Sequence, residues 1–471
     1  MASRNALTFF TAAFLAACAV GPDYRTPEMT LPQVLDGAAE AGASNVNDAG
    51  LATFWTQFDD PVLDGLVQDA MFANHDLRIA LARLNEARAL RGAARLDLGP
   101  TVMVNAGYSD RRLAEVEARG GPRDVEGYDA GFDATWELDF FGRNRRALEA
   151  ANAQLQAAEA GLRDVQVSVA AELSRSYFEL RGNQQRLEVA RRNVANQAET
   201  LQLTQARLEG GTGTELDTSR AAALLAATRA FIAPLEAAVA RAIHRIGVLT
   251  GRDPGALRAQ LALPAELPAV PEFIPASDPG QLLRRRPDIR VSERRLAAAT
   301  ARIGVAVADL FPRVTITGSA GHAADSVDTL GESGSGRYLL APGISWGLFD
   351  LGHVRARIAA ARARGEGELA AYEQTVLLAL QEAEDALVTH ARARERLLQL
   401  AEAADASGTA ARLARLRYEN GVVDFLQVLD AERTLLQAED TLAQGRTETA
   451  TSLVVLYKAL GGGWPAPAGG G

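Results

Sequence analysis

The side chains that enzymes most often use for catalysis or metal binding are few in this chain and are not clustered in its sequence. The five histidines are scattered, and no two stand at the spacing typical of metal ligands. The four methionines do not cluster either. Gly210-Gly211-Thr212-Gly213 is glycine-rich, but it lacks the Lys-Ser/Thr of a phosphate-binding loop and follows a helical pattern. We therefore expect no enzymatic activity, no cofactor and no bound metal.

Carboxylates, in contrast, recur at regular positions. Apolar and polar residues alternate strictly along Tyr128–Asp139, which places Asp129, Asp133 and Glu137 on one face of a strand. Thr101–Ser109 alternates in the same way, with one methionine as the exception. Each run has about the length of a membrane-spanning strand and carries aromatic residues near its ends. The three acids would then face a water-filled lumen. A soluble hairpin with one wet face explains the same alternation.

A further acidic side chain lies in a predicted helix–turn–helix at Arg417–Arg433. Gly421 can end the first helix, and Asp424 can cap the second. Leu426 and Asp430 are four residues apart, so they share one helix face. The pattern predicts an apolar and an acidic side chain side by side near the end of a helical hairpin. The alternative is that Asp430 is a solvated residue paired with the arginine one turn on.

The N-terminus has the features of a signal peptide at residues 1–17. Arg4 precedes the apolar stretch Leu7–Ala17, which is too short to span a bilayer. Leu15-Ala16-Ala17-Cys18 is similar to a bacterial lipoprotein processing site, and Cys18 is the only cysteine. An ordinary signal peptide followed by an incidental cysteine is the alternative. The net charge of −10 argues against nucleic-acid binding, which requires a basic surface.

The organisation of the chain is dominated by a helical pattern from Arg143 to Glu209. Apolar residues recur there in heptads, and ~65 residues at 1.5 Å each make a rod of roughly 100 Å. The chain also repeats itself: Trp136 recurs as Trp346, and Gly211 as Gly421, both 210 positions later. Each copy predicts a helix, two strands, a long helix and a return helix.

The predicted segments follow from these patterns. They are a signal peptide (1–17), a lipid-anchored extended segment (18–61), the first repeat (62–250), a proline-rich linker or equatorial segment (251–286), the second repeat (287–460) and a flexible tail (461–471). Within the repeats we expect one helix from Val62 to about Leu98, an unbroken return helix to about Thr250, and a last strand that includes Trp346 and Leu348.

Four strands per chain are too few to close a membrane barrel, for which eight is about the minimum. Because an open sheet edge cannot lie in lipid, either the strands lie outside a membrane or several chains share one barrel.

In order, spacing and duplication, several stretches resemble the TolC/OprM-type outer-membrane factors, in their lipoprotein branch. The stretches are Cys18–Tyr24, Trp55–Pro61, Asn74–Leu77, Trp136–Arg143, Arg285–Ile289, Gly304–Pro312 and Arg417–Ala431. The resemblance covers nearly the whole mature chain. It implies a fold of long coiled α-helices with four membrane β-strands per chain, assembled as a homotrimer. The trimer would form a twelve-stranded barrel that is continued by an α-helical periplasmic tunnel.

The resemblance further implies an outer-membrane exit channel of a tripartite efflux pump in a Gram-negative bacterium. Its partners would be a periplasmic adaptor, an inner-membrane transporter and membrane lipid, with a diacylglycerol and an N-acyl group on Cys18. Asp430 stands where the family has its gating acid, and Tyr418 and Arg433 stand at gate positions. Gln427 departs from members that carry a second acid. Alternatives are an exit duct for secreted polypeptides or metal ions, and a lipid-anchored coiled-coil scaffold without a pore.

Overall fold

The computed structural model describes residues 19–29, 51–271 and 279–464, together with 32, 35–37, 44–45 and 275–276. The predicted signal peptide, Cys18 and the chain beyond residue 464 lie outside the described residues. The chain divides into two compact units, and each repeat contributes segments to both of them. The first unit takes residues 1–28, 83–159 and 291–374, and the second takes residues 29–82, 160–290 and 375–471.

The main elements of the first repeat follow the predicted order. They are helices α1 (Pro61–Ala73) and α2 (His75–Leu96), strands β1 (Thr101–Arg112) and β2 (Asp124–Leu138), the long helix α3 (Arg143–Glu209), and helices α4 (Glu215–Ala230) and α5 (Ile232–Leu249). A 3-10 turn at Phe54–Phe58 precedes α1, and a short helix at Glu115–Ala118 lies between the strands. The 67-residue α3 has the predicted bounds.

Two of the predicted helices are each divided in two. The backbone of Asn74 is extended (ψ 134°), and its side-chain Oδ1 accepts hydrogen bonds from the amides of Asp76 (2.8 Å) and Leu77 (3.2 Å). Asn74 is thus the N-cap of α2 and separates it from α1. The return helix is interrupted at Phe231, three residues before Pro234. Proline lacks an N–H and its ring crowds the preceding turn, which accounts for this break.

The linker region holds little regular structure among its described residues. Short helices lie at Arg258–Leu261 and Pro279–Arg285, and Pro275–Ala276 pairs in parallel with Ser44–Asn45. The second repeat then contains α6 (Pro287–Ala308), β3 (Arg313–Ala324), β4 (Gly336–Ser345), α7 (Leu351–Glu419) and α8 (Phe425–Ala459). Its element order matches that of the first repeat, with two differences. One helix, α6, stands where α1 and α2 are two, and α8 is a single helix where α4 and α5 are two.

The last strand is shorter than the sequence predicts, because β4 ends at Ser345 and leaves Trp346 and Leu348 outside it. Ser345 pairs with Arg313, the first residue of β3, so no strand residue remains opposite Trp346. The Trp346 indole N–H instead donates to the carbonyl of Leu310 (3.1 Å). The alternation of apolar residues that predicted this strand continues to Leu348, whereas the pairing of β4 with β3 stops at Ser345.

The four strands form one antiparallel sheet in the order β1-β2-β3-β4. Strand β2 of the first repeat pairs with strand β3 of the second repeat, so the sheet joins the two repeats. In their register Phe132 lies opposite Ala320. Within the described chain, β1 and β4 each have a strand on one side only. Their outer backbone N–H and C=O groups are therefore available to another strand.

The two faces of this sheet differ in chemistry. Directly paired residues share a face, so Val104, Phe132, Ala320 and Tyr338 form one row across all four strands. Val104 is 74% exposed and Tyr338 is 87% exposed, although both are large apolar or aromatic side chains. The opposite face carries the predicted acids together with threonine and serine from β3; Met103 and Leu339 are its largest apolar side chains. The sheet thus has one apolar and one polar surface.

The hydrophobic core of the second unit surrounds the middle of α3. Tyr177, Phe178 and Leu180 of α3 are buried with side chains from α1, α5, α7 and α8. Tyr457 of α8 stacks on Phe54 at 5.0 Å between ring centroids. These contacts fix several long helices side by side at one level.

The residues directly after α8 are ordered, although the sequence predicts a flexible tail from residue 461. Gly461 has φ +74°, the Gly461 amide bonds to the Lys458 carbonyl, and the Gly462 amide bonds to the Tyr457 carbonyl. This is a Schellman cap, which requires the left-handed conformation that glycine adopts readily. Trp464 is 5% exposed beside Arg163. Residues 461–464 are therefore packed, and the prediction of a flexible tail from 461 is wrong over those four positions.

One histidine is part of this interior. His390 of α7 is fully buried, with Nδ1 2.8 Å from the Ser452 hydroxyl. The same hydroxyl lies 2.9 Å from the Thr449 carbonyl, to which it can donate while it accepts from His390 Nδ1. The His390 Nε2 atom is buried without a hydrogen-bond partner among the described residues. Burial, aided by the positive charge of Arg394, lowers the pKa of His390 to about 4.

This histidine predicts a loss of stability in acid. An unfolded histidine takes up a proton near pH 6.5, whereas folded His390 resists protonation down to about pH 4. Its contribution is therefore complete above about pH 6.5 and is lost as the pH falls toward 4, by on the order of 3 kcal/mol. Urea unfolding at about pH 7.5 and about pH 5 should show a smaller acid loss for His390→Leu than for the wild-type chain.

The exposed His353 provides the control, because His353→Gln removes a histidine whose side chain is 86% exposed. It should leave the acid loss unchanged. Equal acid losses in the wild-type chain and His390→Leu would contradict a neutral histidine in the core.

Candidate functional site

The helical hairpin formed by α7 and α8 ends in a tight turn, which we call the tip (Tyr418–Arg433). Gly421 has φ +70°, and the amides of Gly421 and Val422 bond back to the last turn of α7 in a Schellman cap. The Asp424 carboxylate accepts from the amide of Gln427 (3.3 Å) and caps α8. Gly211 and Thr214 repeat this arrangement between α3 and α4. The two hairpins are thus built by the same local rules.

The predicted gate residues separate into two groups at the tip. Leu426 is 52% exposed, and Asp430, one turn further, pairs with Arg433 at 2.8 Å. The side chains of that ion pair are 66% and 70% exposed. Tyr418, however, is 5% exposed and packs on Phe425 at 5.3 Å between ring centroids. Leu426, Asp430 and Arg433 therefore belong to the tip surface, whereas Tyr418 belongs to its interior.

Arg207 of α3 holds the end of α7, a contact that sequence analysis did not anticipate. Its guanidinium lies 4.2 Å from the centre of the Tyr418 ring. It also donates to the carbonyls of Tyr418 (3.0 Å) and Glu419 (3.3 Å). These carbonyls belong to the last turn of α7, where a positive charge is favourable. Arg207 thus fixes both the side chain and the backbone of the predicted gate tyrosine.

A buried carboxylate anchors the other side of α8. Glu432 is 7% exposed and accepts from the Thr200 hydroxyl (2.9 Å) and from Arg415 (3.0 Å). Arg415 also donates to the Asn196 carbonyl (2.9 Å). Burial raises the pKa of Glu432, while Thr200 and Arg415 oppose that rise. The network ties α3, α7 and α8 together behind the surface that carries Asp430.

The sequence did contain a signal for Glu432. Phe425, Val428 and Glu432 stand at the spacing of one buried helix face, and all three are buried. An acid on such a face needs a partner. Thr200 lies 232 positions away and Arg415 lies 17 positions away across the turn, so neither partner could be identified from periodicity.

The three predicted pore acids share the polar face of the sheet. Asp129 lies 3.8 Å from Arg337, and Asp133 accepts a hydrogen bond from Asn105. Glu137 lies 3.7 Å from Arg143 at the start of α3. Each acid thus has a polar or basic neighbour, so the face is polar without being purely acidic.

A cluster around Asp309 adds to this end of the polar face. The Asp309 carboxylate is 2.7 Å from Arg313, 3.6 Å from Arg143 and 3.7 Å from Arg357. Asp309, directly after α6, thus contacts side chains from α3, β3 and α7, and no local sequence pattern predicts these contacts. Within the parts of the chain that the structure describes, no group of three or more histidine, cysteine or acidic side chains could hold a metal ion.

The tip network predicts unequal effects for two arginines on the same hairpin. Arg415→Met leaves Glu432 buried without its charged partner and should loosen the tip by about 2 kcal/mol. Arg433→Met removes an exposed pair and should cost less than about 1 kcal/mol. Hydrogen exchange of the amides at 425–435, read by mass spectrometry, should accelerate about 30-fold in the first variant and little in the second.

Lowering the pH separates this network from a general packing defect. Because the pKa of Glu432 is raised in the folded tip, protonation favours the folded form, and that contribution is lost as the pH rises through the raised pKa. In acid, the exchange rates of Arg415→Met and of the wild-type chain, compared at the same pH so that intrinsic exchange cancels, should therefore converge. A difference between the two that stays about 30-fold at every pH would contradict the role assigned to Glu432.

Comparison with known proteins places this architecture. The family model described as outer membrane efflux protein matches residues 66–252 and 279–462, one segment in each repeat. The probable efflux pump outer membrane protein TtgC of Pseudomonas putida is 32% identical over 459 residues, covering 96% of this chain and 94% of the relative. The outer membrane protein OprJ of Pseudomonas aeruginosa is 33% identical over 454 residues, with coverages of 96% and 94%.

A solved structure of the outer-membrane channel OprN superimposes with a TM-score of 0.89 at 46% sequence identity. The superposition covers 95% of this chain and all of the OprN chain. The two matched segments correspond to the two repeats of the chain. The superposition covers both the small antiparallel sheet and the long helices. The chain belongs to the outer membrane efflux protein family, whose members are transport proteins of the outer membrane.

Proposed function

We propose that three copies of this chain form a passive exit channel through the outer membrane, with a shared barrel and a helical tunnel in the periplasm. The observation that carries the proposal is the four-stranded sheet with one apolar face, one polar face and two unpaired edges. The rest of the proposal follows from what this sheet needs in a membrane.

The sheet edges supply the argument for assembly. Lipid offers no hydrogen bonds, so β1 and β4 must pair with other strands before the sheet can enter it. Three copies supply twelve strands, an even number within the range of closed membrane barrels. The apolar row with Val104 and Tyr338 then faces lipid, and Asp129, Asp133 and Glu137 face the lumen.

An exposed helical surface supports the same assembly. Among the described residues, Glu215–Leu249 is the one helical stretch long and apolar enough to cross a membrane by length and composition. This stretch is interrupted at Phe231. Three of its large apolar side chains are about half exposed: Phe231 (58%), Leu216 (57%) and Val248 (48%). We assign this surface to contacts with the helices of a neighbouring copy.

The partners and cargo follow from the relatives. TtgC of one Pseudomonas putida strain is named a toluene efflux pump outer membrane protein, and ArpC an antibiotic efflux pump outer membrane protein. By analogy, this chain conducts small molecules that an inner-membrane transporter and a periplasmic adaptor deliver. It binds none of them tightly and catalyses no reaction. The family match and the named cargoes of TtgC and ArpC favour this function over a duct for polypeptides or metal ions and over a scaffold without a pore.

The gate is proposed at the tip. Three copies around an axis would place Leu426 in an apolar ring and Asp430 in an acidic ring, which together restrict leakage and favour cations. Three carboxylates held close together repel one another, and protonation relieves that repulsion, so closure should respond to pH. Arg433 balances Asp430 within the chain, and Tyr418, held by Arg207, sets the end of α7.

The anchor is proposed at Cys18, which would carry a diacylglycerol and an N-acyl group after removal of residues 1–17. One lipid group alone gives reversible attachment. The barrel would provide the permanent one.

Conductance in planar bilayers tests the channel and its gate. The wild-type chain should conduct with a preference for cations, and Asp430→Asn should lower that preference several-fold and flatten its pH dependence. Asp405→Asn, which removes an exposed acid from α7 away from the tip, is the matched control and should match the wild-type chain.

Two results would count against the proposal in different ways. An unchanged selectivity and pH response in Asp430→Asn would reject the gate and leave the channel intact. No conductance from the wild-type chain would favour the scaffold.

A further inference from the structure

The first residues of the mature chain are fastened along the start of α3. We call residues 19–24 the strap. The Val20 amide donates to the carbonyl of Phe141 (3.2 Å), directly before α3. The strap contains no helix or strand. Its position is therefore held by specific contacts, and these come mainly from one side chain.

That side chain is Arg146, which is 5% exposed. Its guanidinium donates to the carbonyls of Ala19 (3.3 Å), Val20 (3.1 Å) and Gly21 (3.4 Å). It also pairs with the carboxylate of Asp23 at 2.7 Å. Arginine presents five donors in a rigid fork, which suits a run of successive carbonyls. A buried guanidinium needs hydrogen-bond acceptors, and the strap supplies several of them although it has no regular structure. The strap is therefore a specifically bound segment.

Glycines clear the space that the strap occupies. Gly21 has φ +94°, and a Cβ there would lie 2.4 Å from the Gly304 Cα of α6. A Cβ on Gly142 would lie 2.6 Å from Ala19, and one on Gly304 would lie 2.8 Å from the Arg146 side chain. A side chain at any of the three glycines would therefore push the strap, Arg146 or α6 apart.

The last strap residue is held separately by α6. The Tyr24 hydroxyl donates to Glu293 (3.1 Å), and Arg294 lies 5.2 Å from the centre of the Tyr24 ring. The Tyr24 ring also packs on Ala297 and Ala298. The strap thus bridges α3 of the first repeat and α6 of the second, with Tyr24 as its far attachment.

We propose that Arg146, with Gly21, Gly142 and Gly304, forms a docking site for the N-terminal end of the mature chain, which holds the acyl-bearing residue at the base of the sheet. The acyl group itself rests on the proposed function. Cys18 is one Cα–Cα step, about 3.8 Å, from Ala19. Ala19 lies against Gly142, four residues after the end of β2.

The dock has a physical consequence for anchoring. A flexible N-terminal segment would let the lipid sample a large volume, whereas a docked strap holds it near the end of β2, at the base of the sheet. Two membrane attachments at a fixed separation have a high effective concentration for each other. The lipid and the barrel would then act as one anchor.

The sole cysteine allows a direct test without adding another. The full chain is secreted with a signal peptide that does not direct acylation, and a nitroxide is attached to the free thiol of Cys18. In the parent the label should move slowly, and pulsed dipolar measurements on the assembled protein should give a narrow distance distribution. Arg146→Gln, which removes the fork, should give fast nanosecond motion and a broad distribution.

Gly21→Val is the second variant, because it displaces the strap without altering α3, and valine does not tolerate the left-handed backbone of Gly21. Arg25→Gln, an exposed charge change beside the strap, is the control and should match the parent. The proposal is overturned if the label is fast in the parent, or if it stays slow in both Arg146→Gln and Gly21→Val. A slow label without dipolar coupling would reject the trimer and support the dock.

Discussion

The unpaired edges of β1 and β4 are the constraint on which the rest of this structure depends. The sheet has an apolar face suited to lipid, yet lipid cannot satisfy the outer backbone groups of either edge strand. A single chain therefore cannot be a stable membrane protein through this sheet. Assembly is required by hydrogen bonding before any argument about transport begins, and the polar face becomes a lumen only once the edges are closed.

The long helices turn that assembly into a duct. The 67 residues of α3 and the 69 residues of α7 are far longer than helices in globular domains, and such helices are stable only when packed lengthwise. Their packing is tightened by polar networks rather than by apolar contacts alone. Glu432, Thr200 and Arg415 join three helices behind the tip, and Arg207 holds the end of α7. The exposed surface with Leu426 and Asp430, where we propose the gate, is thus supported by helices that these networks hold together.

Much of the fold could be predicted from the sequence because its signals are local and repeated. Heptads gave the bounds of α3, alternation gave the strands, and the duplication made each half a check on the other. The breaks at Asn74 and Phe231 were missed because the apolar period continues across them, although Asn74 as a cap and Pro234 as a breaker were both visible. The prediction that Trp346 belongs to β4 was wrong because the end of a strand depends on where its partner strand begins, which the residues of one strand do not reveal.

The candidate site could be predicted only in part, for a related reason. Asp430 and Leu426 share a helix face by spacing alone, and the acids of β2 share a face by alternation. Thr200 lies 232 positions from Glu432, and Val20 of the strap lies 126 positions from Arg146. Arg415 reaches Glu432 across the turn from 17 positions away. No local period reveals such contacts. Glycines at 461 and 462 were read as a tail, because composition does not distinguish a disordered glycine from one that caps a helix.

The measurement that tests the central claim most directly is the native mass of the protein extracted from the outer membrane in detergent. The shared barrel predicts a particle with the mass of three mature chains and no folded monomer or dimer. A stable monomer in the same extract would leave β1 and β4 unpaired in the membrane and would contradict the account.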